Sequence, residues 1–198
     1  KDMIIGGLQR FSLIDYPGKI SAIIFTRGCN FRCPYCHNPE LVDPNRYVDA
    51  LEEKQLWEFL RRRQEKLDAV VITGGEPTLH DGLELFIDKI KTMGFLVKLD
   101  TNGSNPGVLK NLLSENLLDY VAMDIKAPLE KYSEVARIPV AVENIEESIM
   151  LTRESHVSHE FRTTVAKNML SEDDVLNIAR MLQGEKLYVL QRCVPTKV

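Results

Sequence analysis

The stretch ISAIIFTRGCNFRCPYC occupies residues 20–36. Its first six residues form a short apolar run rich in isoleucine, which predicts a buried strand over residues 20–25. Its second half holds three of the chain's four cysteines in the spacing Cys-x3-Cys-x2-Cys, namely Cys29, Cys33 and Cys36. The strand therefore leads into a loop in which three thiols can face one metal centre.

Three thiols at this spacing favour an iron-sulfur site. A disulfide framework needs an even number of cysteines in a small secreted chain, and a structural zinc site has four ligands, usually in two separated pairs. A cubane cluster held by three thiolates leaves one iron open for a small molecule. From the spacing alone two alternatives stay open: a zinc site completed by His37 or Cys193, and three unrelated buried thiols.

Further strand patterns follow this one and alternate with amphipathic helices. We predict strands at residues 68–72, 95–99, 120–123, 159–165 and 186–190, and helices at 49–63, 82–93, 106–115, 142–153 and 172–182. Connections of this length carry right-handed crossovers, so the fold class is α/β with a parallel sheet. Residues 3–14 predict a short hairpin or edge strand. Periodicity does not decide between an open doubly wound sheet and a curved partial barrel.

Polar segments follow the predicted strands, where ligands of parallel α/β proteins bind. The second strand is followed by Gly74-Gly75-Glu76, in which two glycines let the backbone approach a ligand closely. The third strand is followed by Asp100-Thr101-Asn102. A tight turn explains the first segment equally well, and an Asx-turn with a helix cap explains the second.

Charged side chains come with the next two strands. Asp124 and Lys126 lie on the same face of an extended segment, with a surface ion pair as the alternative interpretation. Arg162 lies in an otherwise apolar strand, so it is either exposed at an edge or paired with an anion. Cys193 is more typical of a small buried side chain than of a ligand. We expect His37 and Asn38 to steady the cysteine loop without binding the metal.

These motifs together resemble those of a known family. The array Cys-x3-Cys-x-aromatic-Cys, with Tyr35 in the aromatic position, resembles the signature of the radical S-adenosylmethionine (SAM) superfamily, and Gly74-Gly75-Glu76 resembles its GGE motif. Residues 6–19 and 36–40 closely resemble the activating proteins of anaerobic ribonucleoside-triphosphate reductase. The resemblance extends from about residue 5 to about residue 190.

The resemblance implies a partial (β/α)6 TIM-like barrel with a metal cluster near its top. It implies that a [4Fe-4S] cluster is held by Cys29, Cys33 and Cys36. It also implies a SAM site formed by Tyr35, Gly74, Gly75, Glu76, Asp100, Thr101, Asn102, Asp124, Lys126 and Arg162. Within that site Glu76 is expected to hold the methionyl ammonium, and Asp124, Asp100 or Arg162 to lie near the methionine carboxylate. No catalytic residue beyond the cluster and SAM is expected.

The function implied is that of a glycyl-radical enzyme activating enzyme. Such an enzyme reductively cleaves SAM and generates a glycyl radical on its partner, here anaerobic ribonucleoside-triphosphate reductase, with electrons from a flavodoxin-like or comparable donor. One alternative is an activating enzyme for a different glycyl-radical enzyme, and another is a 7-carboxy-7-deazaguanine synthase. An alternative of a different class is a non-catalytic binding module stabilised by a structural metal.

Composition adds only broad limits. The chain has 198 residues and a formal net charge of -4, which gives no reason to expect binding to nucleic acid or to an anionic membrane. We predict one domain over residues 1–198, with an N-terminal extension at 1–18 and a barrel at 19–198 that allows for a truncated C-terminus. The absence of a signal peptide or membrane span in the sequence, and thiols that need a reducing compartment, predict a cytoplasmic location.

Overall fold

A computed structural model describes residues 3–193 of the chain. One seven-stranded sheet organises these residues. Its strands are β1 (Ile5–Ser12), β2 (Ser21–Thr26), β3 (Ala69–Gly74), β4 (Leu96–Thr101), β5 (Tyr120–Asp124), β6 (Ser158–Val165) and β7 (Tyr188–Arg192). The predicted N-terminal edge strand is confirmed, because β1 pairs antiparallel with β2 and belongs to the same sheet as the barrel strands.

The strand order settles how the sheet is wound. The strands lie in the order of the sequence from β1 to β7, and every pair from β2 onward is parallel. A doubly wound sheet requires the order to reverse, whereas right-handed crossovers that always advance in one direction place all helices on one face. The partial barrel is therefore confirmed. Among the described residues β7 does not pair with β1, so the sheet is not closed.

Among residues 3–193, six α-helices cover the outer face of the sheet. They are α1 (Glu53–Arg63), α2 (Leu83–Thr92), α3 (Pro106–Ser114), α4 (Tyr132–Ala136), α5 (Val142–Glu154) and α6 (Glu172–Met181). Alternate strand residues such as Ile24, Ile72 and Leu99 pack against the helices in the main apolar core. Between α1 and α2 the ring centroids of Trp57 and Phe86 lie 4.9 Å apart.

The inner face of the sheet changes character along the barrel axis. Near the amino ends of the strands, Ile23, Val71 and Tyr120 form a small apolar cluster with Tyr16 from the β1–β2 connection. The rings of Tyr16 and Tyr120 lie 5.6 Å apart. Towards the carboxyl ends the inner face becomes polar. The apolar layer therefore seals one end of the barrel, and the polar end is left for a ligand.

Several elements differ from the sequence predictions. The helix expected over residues 49–63 begins at Glu53, and α4 was not predicted because five residues are too few to show a helical period. The strands β3, β4 and β5 also extend further than predicted, because their pairing with neighbours continues to Gly74, Thr101 and Asp124. Several candidate site residues therefore lie within strand ends rather than after them.

The end of β3 crosses the start of the cysteine loop at very close range. Gly74 has a φ of +124°, and a Cβ there would overlap the backbone of Thr26. A Cβ on Gly75 would overlap the carbonyl oxygen of Gly28. Both glycines are therefore required by backbone contact where β2 and β3 end and their following loops begin, in addition to any role in binding a ligand.

We predict that Gly75→Ala lowers the free energy of unfolding by about 1–3 kcal/mol, because the methyl group forces the two backbones apart. The matched control is Gly107→Ala in the first turn of α3, where a Cβ meets only the side chain of Asn105, 3.9 Å away. That variant should be about 0.5–1 kcal/mol more stable than the parent, since alanine is the better helix former. Urea unfolding of both variants measures this; equal stabilities would contradict the backbone contact.

Candidate functional site

A cavity of about 300 Å³ opens at the carboxyl ends of the parallel strands. All thirteen candidate site residues line it, although they come from five separate segments of the chain. These are Cys29, Cys33, Tyr35, Cys36, Gly74, Gly75, Glu76, Asp100, Thr101, Asn102, Asp124, Lys126 and Arg162. The structure therefore brings the candidate residues together, while the binding role of each one stays a prediction.

The cysteine loop leaves the end of β2 and is held by contacts with Leu41 and with helix α4. The N–H of Gly28 donates to the carbonyl of Leu41 at 2.7 Å, and the N–H of Arg32 donates to Ala136 of α4 at 2.8 Å. The ring of Phe31, which is buried, packs edge-on against Tyr132 with centroids 6.3 Å apart. The loop is thus fixed to α4, the helix that the sequence did not predict.

The three thiols on this loop are free and only partly exposed. Burial raises the pKa of Cys29 to about 12, and the nearby Glu76 carboxylate adds to the rise. Burial likewise raises the pKa of Cys33. Without a cation Cys29 and Cys33 therefore keep their protons at neutral pH. A positively charged metal centre reverses this preference, because coordination deprotonates a thiol.

Glu76 is the hydrogen-bonding centre of the neighbouring strand ends. Its side chain is 1% exposed. Its Oε1 accepts from the N–H and the hydroxyl of Thr78, at 3.2 and 2.7 Å, and from the hydroxyl of Thr101 at 2.7 Å. Its Oε2 accepts from the N–H of Asn102 at 2.7 Å. Burial raises the pKa of Glu76, and these hydrogen bonds oppose the rise. The carboxylate thereby joins the end of β3 to the end of β4.

The sequence-predicted charges form one network on the inner face. Arg162 Nε lies 2.9 Å from Asp124 Oδ1, and its Nη1 lies 3.1 Å from Asp100 Oδ2. Lys126 Nζ lies 3.0 Å from Asp124 Oδ2. Burial raises the pKa of Asp124, but Arg162 and Lys126 outweigh it, so the pKa lies well below its usual value. Arg162 is therefore paired and not edge-exposed.

Sequence reasoning missed two members of this network, Lys98 and Glu160. Lys98 is 3% exposed, and its Nζ lies 3.4 Å from Asp100 and 3.6 Å from Glu160. It also donates to the carbonyl of Asp15 at 2.6 Å. Lys98 and Glu160 could have been found in the sequence, because each is a charged residue at an inward position of an apolar strand. The same pattern identified Arg162.

Two features of the cavity fit an iron-sulfur cluster and a nucleoside ligand. Three thiols that form no disulfide converge on it from a single loop, and cysteine thiolates are the ligands of such clusters. The buried hydroxyl of Tyr35 also lines the cavity and has no hydrogen-bond partner within residues 3–193. In the same residues no three His, Cys, Asp or Glu side chains are close enough to bind a single metal ion. A four-iron cluster, which is larger, holds its thiolates further apart.

Comparison with known proteins identifies the family. The family model described as the radical SAM superfamily matches residues 23–182. The chain belongs to the radical SAM superfamily. The prediction of an enzyme that uses a [4Fe-4S] cluster and SAM is thereby confirmed at the level of this superfamily, and the structural zinc alternative loses its support.

Relatives named as activating enzymes support this assignment. A Methanocaldococcus jannaschii protein that bears the name of a glycyl-radical enzyme activating enzyme is 37% identical over 198 residues, covering 97% of this chain and 80% of that protein. Pyruvate formate-lyase-activating enzyme of Clostridium pasteurianum is 31% identical over 126 residues, covering 62% of this chain and 52% of that enzyme.

Two further comparisons are less extensive. 7-Carboxy-7-deazaguanine synthase of Halobacterium salinarum is 33% identical over 97 residues, covering 44% of this radical SAM chain and 33% of that enzyme. The structure of anSMEcpe with bound AdoMet superposes with a TM-score of 0.65 at 22% identity, covering 84% of this chain and 49% of that one, which shows a shared fold. No helix among residues 3–193 is long and apolar enough to cross a membrane.

We predict that Arg162→Gln lowers the free energy of unfolding by about 1–3 kcal/mol, because it leaves the partly buried carboxylates of Asp100 and Asp124 without their shared cation. Arg61→Gln, on the exposed face of α1, should stay within about 0.5 kcal/mol of the parent. Urea unfolding measures both. If Arg162→Gln loses little stability, Lys98 and Lys126 neutralise the two carboxylates without Arg162.

Proposed function

We propose that this radical SAM protein is a glycyl-radical enzyme activating enzyme whose partner is anaerobic ribonucleoside-triphosphate reductase. The observation that carries the proposal is the convergence of the three-cysteine loop, the Gly74-Gly75-Glu76 segment and the Asp124–Lys126 pair on one cavity. When bound, the cluster and SAM supply one-electron cleavage of the sulfonium S–C5′ bond, giving methionine and a 5′-deoxyadenosyl radical that abstracts hydrogen from a backbone glycine.

The residues of the chain would position SAM through both of its charged ends. The Oε2 atom of Glu76 accepts only one hydrogen bond from the described residues, so it retains capacity for the methionyl ammonium. Arg162 and Lys126 are the lysine and arginine side chains that line the cavity among the described residues, and they would face the methionine carboxylate. Asp124, held in its charged form by these two cations, keeps them oriented.

Several features favour a protein substrate. In the described residues the sheet is open between β7 and β1, and an open side gives room for a loop of a partner to reach the cavity. The relative that covers most of the chain bears the name of an activating enzyme. Residues 6–19 and 36–40 resemble the activating proteins of the anaerobic reductase in particular. A flavodoxin-like donor would supply the electron, and a cytoplasmic location fits an oxygen-sensitive cluster.

A second candidate is a 7-carboxy-7-deazaguanine synthase. The similarity to such an enzyme of Halobacterium salinarum over 97 residues supports it. That function needs a pocket for a small heterocycle and no protein partner. A glycyl radical on a partner enzyme and turnover of a pterin substrate are the two measurements that separate the candidates.

We predict that changing Cys29, Cys33 or Cys36 singly to alanine abolishes both four-iron incorporation and reductive release of 5′-deoxyadenosine, because each thiol is a required ligand. Cys193→Ala is the matched control, and we expect it to retain both. Iron analysis, visible absorption and chromatography of the nucleoside after anaerobic reconstitution provide the readouts. Undiminished nucleoside release in any one of the three loop variants would overturn the proposed cluster.

We also predict a glycyl radical on the partner. Purified anaerobic reductase, incubated with the reconstituted protein, SAM and dithionite, should develop the electron paramagnetic resonance signal of a glycyl radical, and a reductase with that glycine changed to alanine should not. The absence of the radical, combined with turnover of a pterin substrate, would instead establish the synthase. A radical on a different glycyl-radical enzyme alone would retain the activating function and replace the partner.

A further inference from the structure

The side chain of Asn102 is held in one orientation at the end of β4. It is 5% exposed. Its Oδ1 accepts from the N–H of Ser104 at 2.9 Å, which directs the carbonyl towards its own loop and the amide nitrogen towards the cysteine loop. Nδ2 lies 3.0 Å from Asn30 Oδ1 and 3.9 Å from Cys29 Sγ. An amide nitrogen carries two hydrogens, so it can serve both contacts at once.

Several buried hydrogen bonds fix the backbone that carries this amide. The N–H of Asn102 donates to Glu76 Oε2 at 2.7 Å. The amide of Asn30 donates to the hydroxyl of Ser104 at 2.8 Å, which ties the cysteine loop to the same turn. From α5, the hydroxyl of Ser148 donates to the carbonyl of Gly103 at 2.7 Å. Asn102 therefore cannot turn its amide away from Cys29 without breaking its hydrogen bonds with Ser104 and Asn30, which are partly shielded from water.

The three loop cysteines differ in the donors that reach them. Cys29 Sγ receives the backbone N–H of Phe31 at 3.3 Å in addition to the Asn102 amide. Within residues 3–193 no side-chain N–H donates to the sulfur of Cys33 or Cys36. Hydrogen bonds to the sulfurs are one of the protein's means of setting a cluster's reduction potential. An N–H donor stabilises the reduced state, because that state places more negative charge on sulfur.

We propose that Asn102 is a positioning residue that donates an N–H hydrogen bond to the cluster ligand Cys29 and so raises the reduction potential of the cluster, with Glu76 holding it in place. The inference rests on the cluster assigned under the proposed function. It gives Asn102 a role towards the metal centre that is separate from contact with SAM. It also gives the buried Glu76 carboxylate an effect on the cluster through a single intervening residue.

The test compares Asn102→Asp with Asn105→Asp. The first change keeps the acceptor for the Ser104 N–H and removes both amide hydrogens. The second adds the same charge to the same loop, where the Asn105 amide donates to the carbonyl of Thr78 and touches no cysteine. Both variants and the parent are reconstituted anaerobically and titrated with dithionite at neutral pH without SAM, and the reduced cluster is followed by electron paramagnetic resonance.

We expect the ratio of reduced to oxidised cluster at a fixed potential to be about tenfold lower in Asn102→Asp than in Asn105→Asp, which corresponds to about 59 mV for a one-electron couple. We also expect an altered resonance line shape in Asn102→Asp alone, because the changed donor acts on a ligand sulfur. Equal potentials in the two variants, with about four irons in each, would overturn the inference and leave the proposed function intact.

A further variant separates a tuning role from a structural one. Asn102→Gln retains the amide on a side chain that is one methylene longer, and we expect it to hold about four irons at a potential nearer to that of the parent. If Asn102→Gln loses the cluster or matches Asn102→Asp in potential, the amide does not act by donation and the inference fails. A parent protein that assembles no four-iron cluster would overturn the proposed function, and this inference with it.

Discussion

The arrangement of the site depends on one buried carboxylate. Glu76 accepts hydrogen bonds from Thr78, Thr101 and Asn102, so the end of β3 cannot shift relative to the end of β4 without stranding a charge away from water. Through Asn102 the same carboxylate is linked to the cysteine loop. The end of β3, the end of β4 and the cysteine loop are therefore held in place by the same carboxylate. A fixed position of these three segments is a condition for holding reacting atoms in a fixed geometry.

The inner face of the barrel adds a second constraint, which is charge balance. Three cations, Lys98, Lys126 and Arg162, face three carboxylates, those of Asp100, Asp124 and Glu160. Each of these six charges has an oppositely charged partner, which offsets part of the free energy needed to remove it from water. A ligand that brings both an ammonium and a carboxylate can exchange partners within such a network, because the sum of charges stays the same.

Parts of this arrangement were predictable for local reasons. Apolar strand runs alternating with helical periods predicted the parallel sheet, since both periods are local properties of the chain. Clustered cysteines predicted the thiol loop, since metal ligation depends on residue type. Paired glycines predicted a close approach of the backbone to a ligand, whereas the contact that the structure shows is with the backbone of Thr26 and Gly28. Helix α4, by contrast, is too short to show a period, although it anchors the cysteine loop through the carbonyl of Ala136. Lys98 and Glu160 each pair with a residue on their own strand, but they also pair with each other from β4 to β6, and only the folded sheet shows that contact.

The sequence by itself determined which chemical groups are present and which of them follow strands: three thiols in one loop, a carboxylate after two glycines, and an acid and a base near the ends of later strands. Only the tertiary structure decided the partner of each group. Asn102 and Cys29 are 73 residues apart in the chain, and Asp100 and Arg162 are 62 apart. Contacts of that separation depend on the order and register of the strands, which result from packing the whole sheet against its helices and have no local signature in the chain.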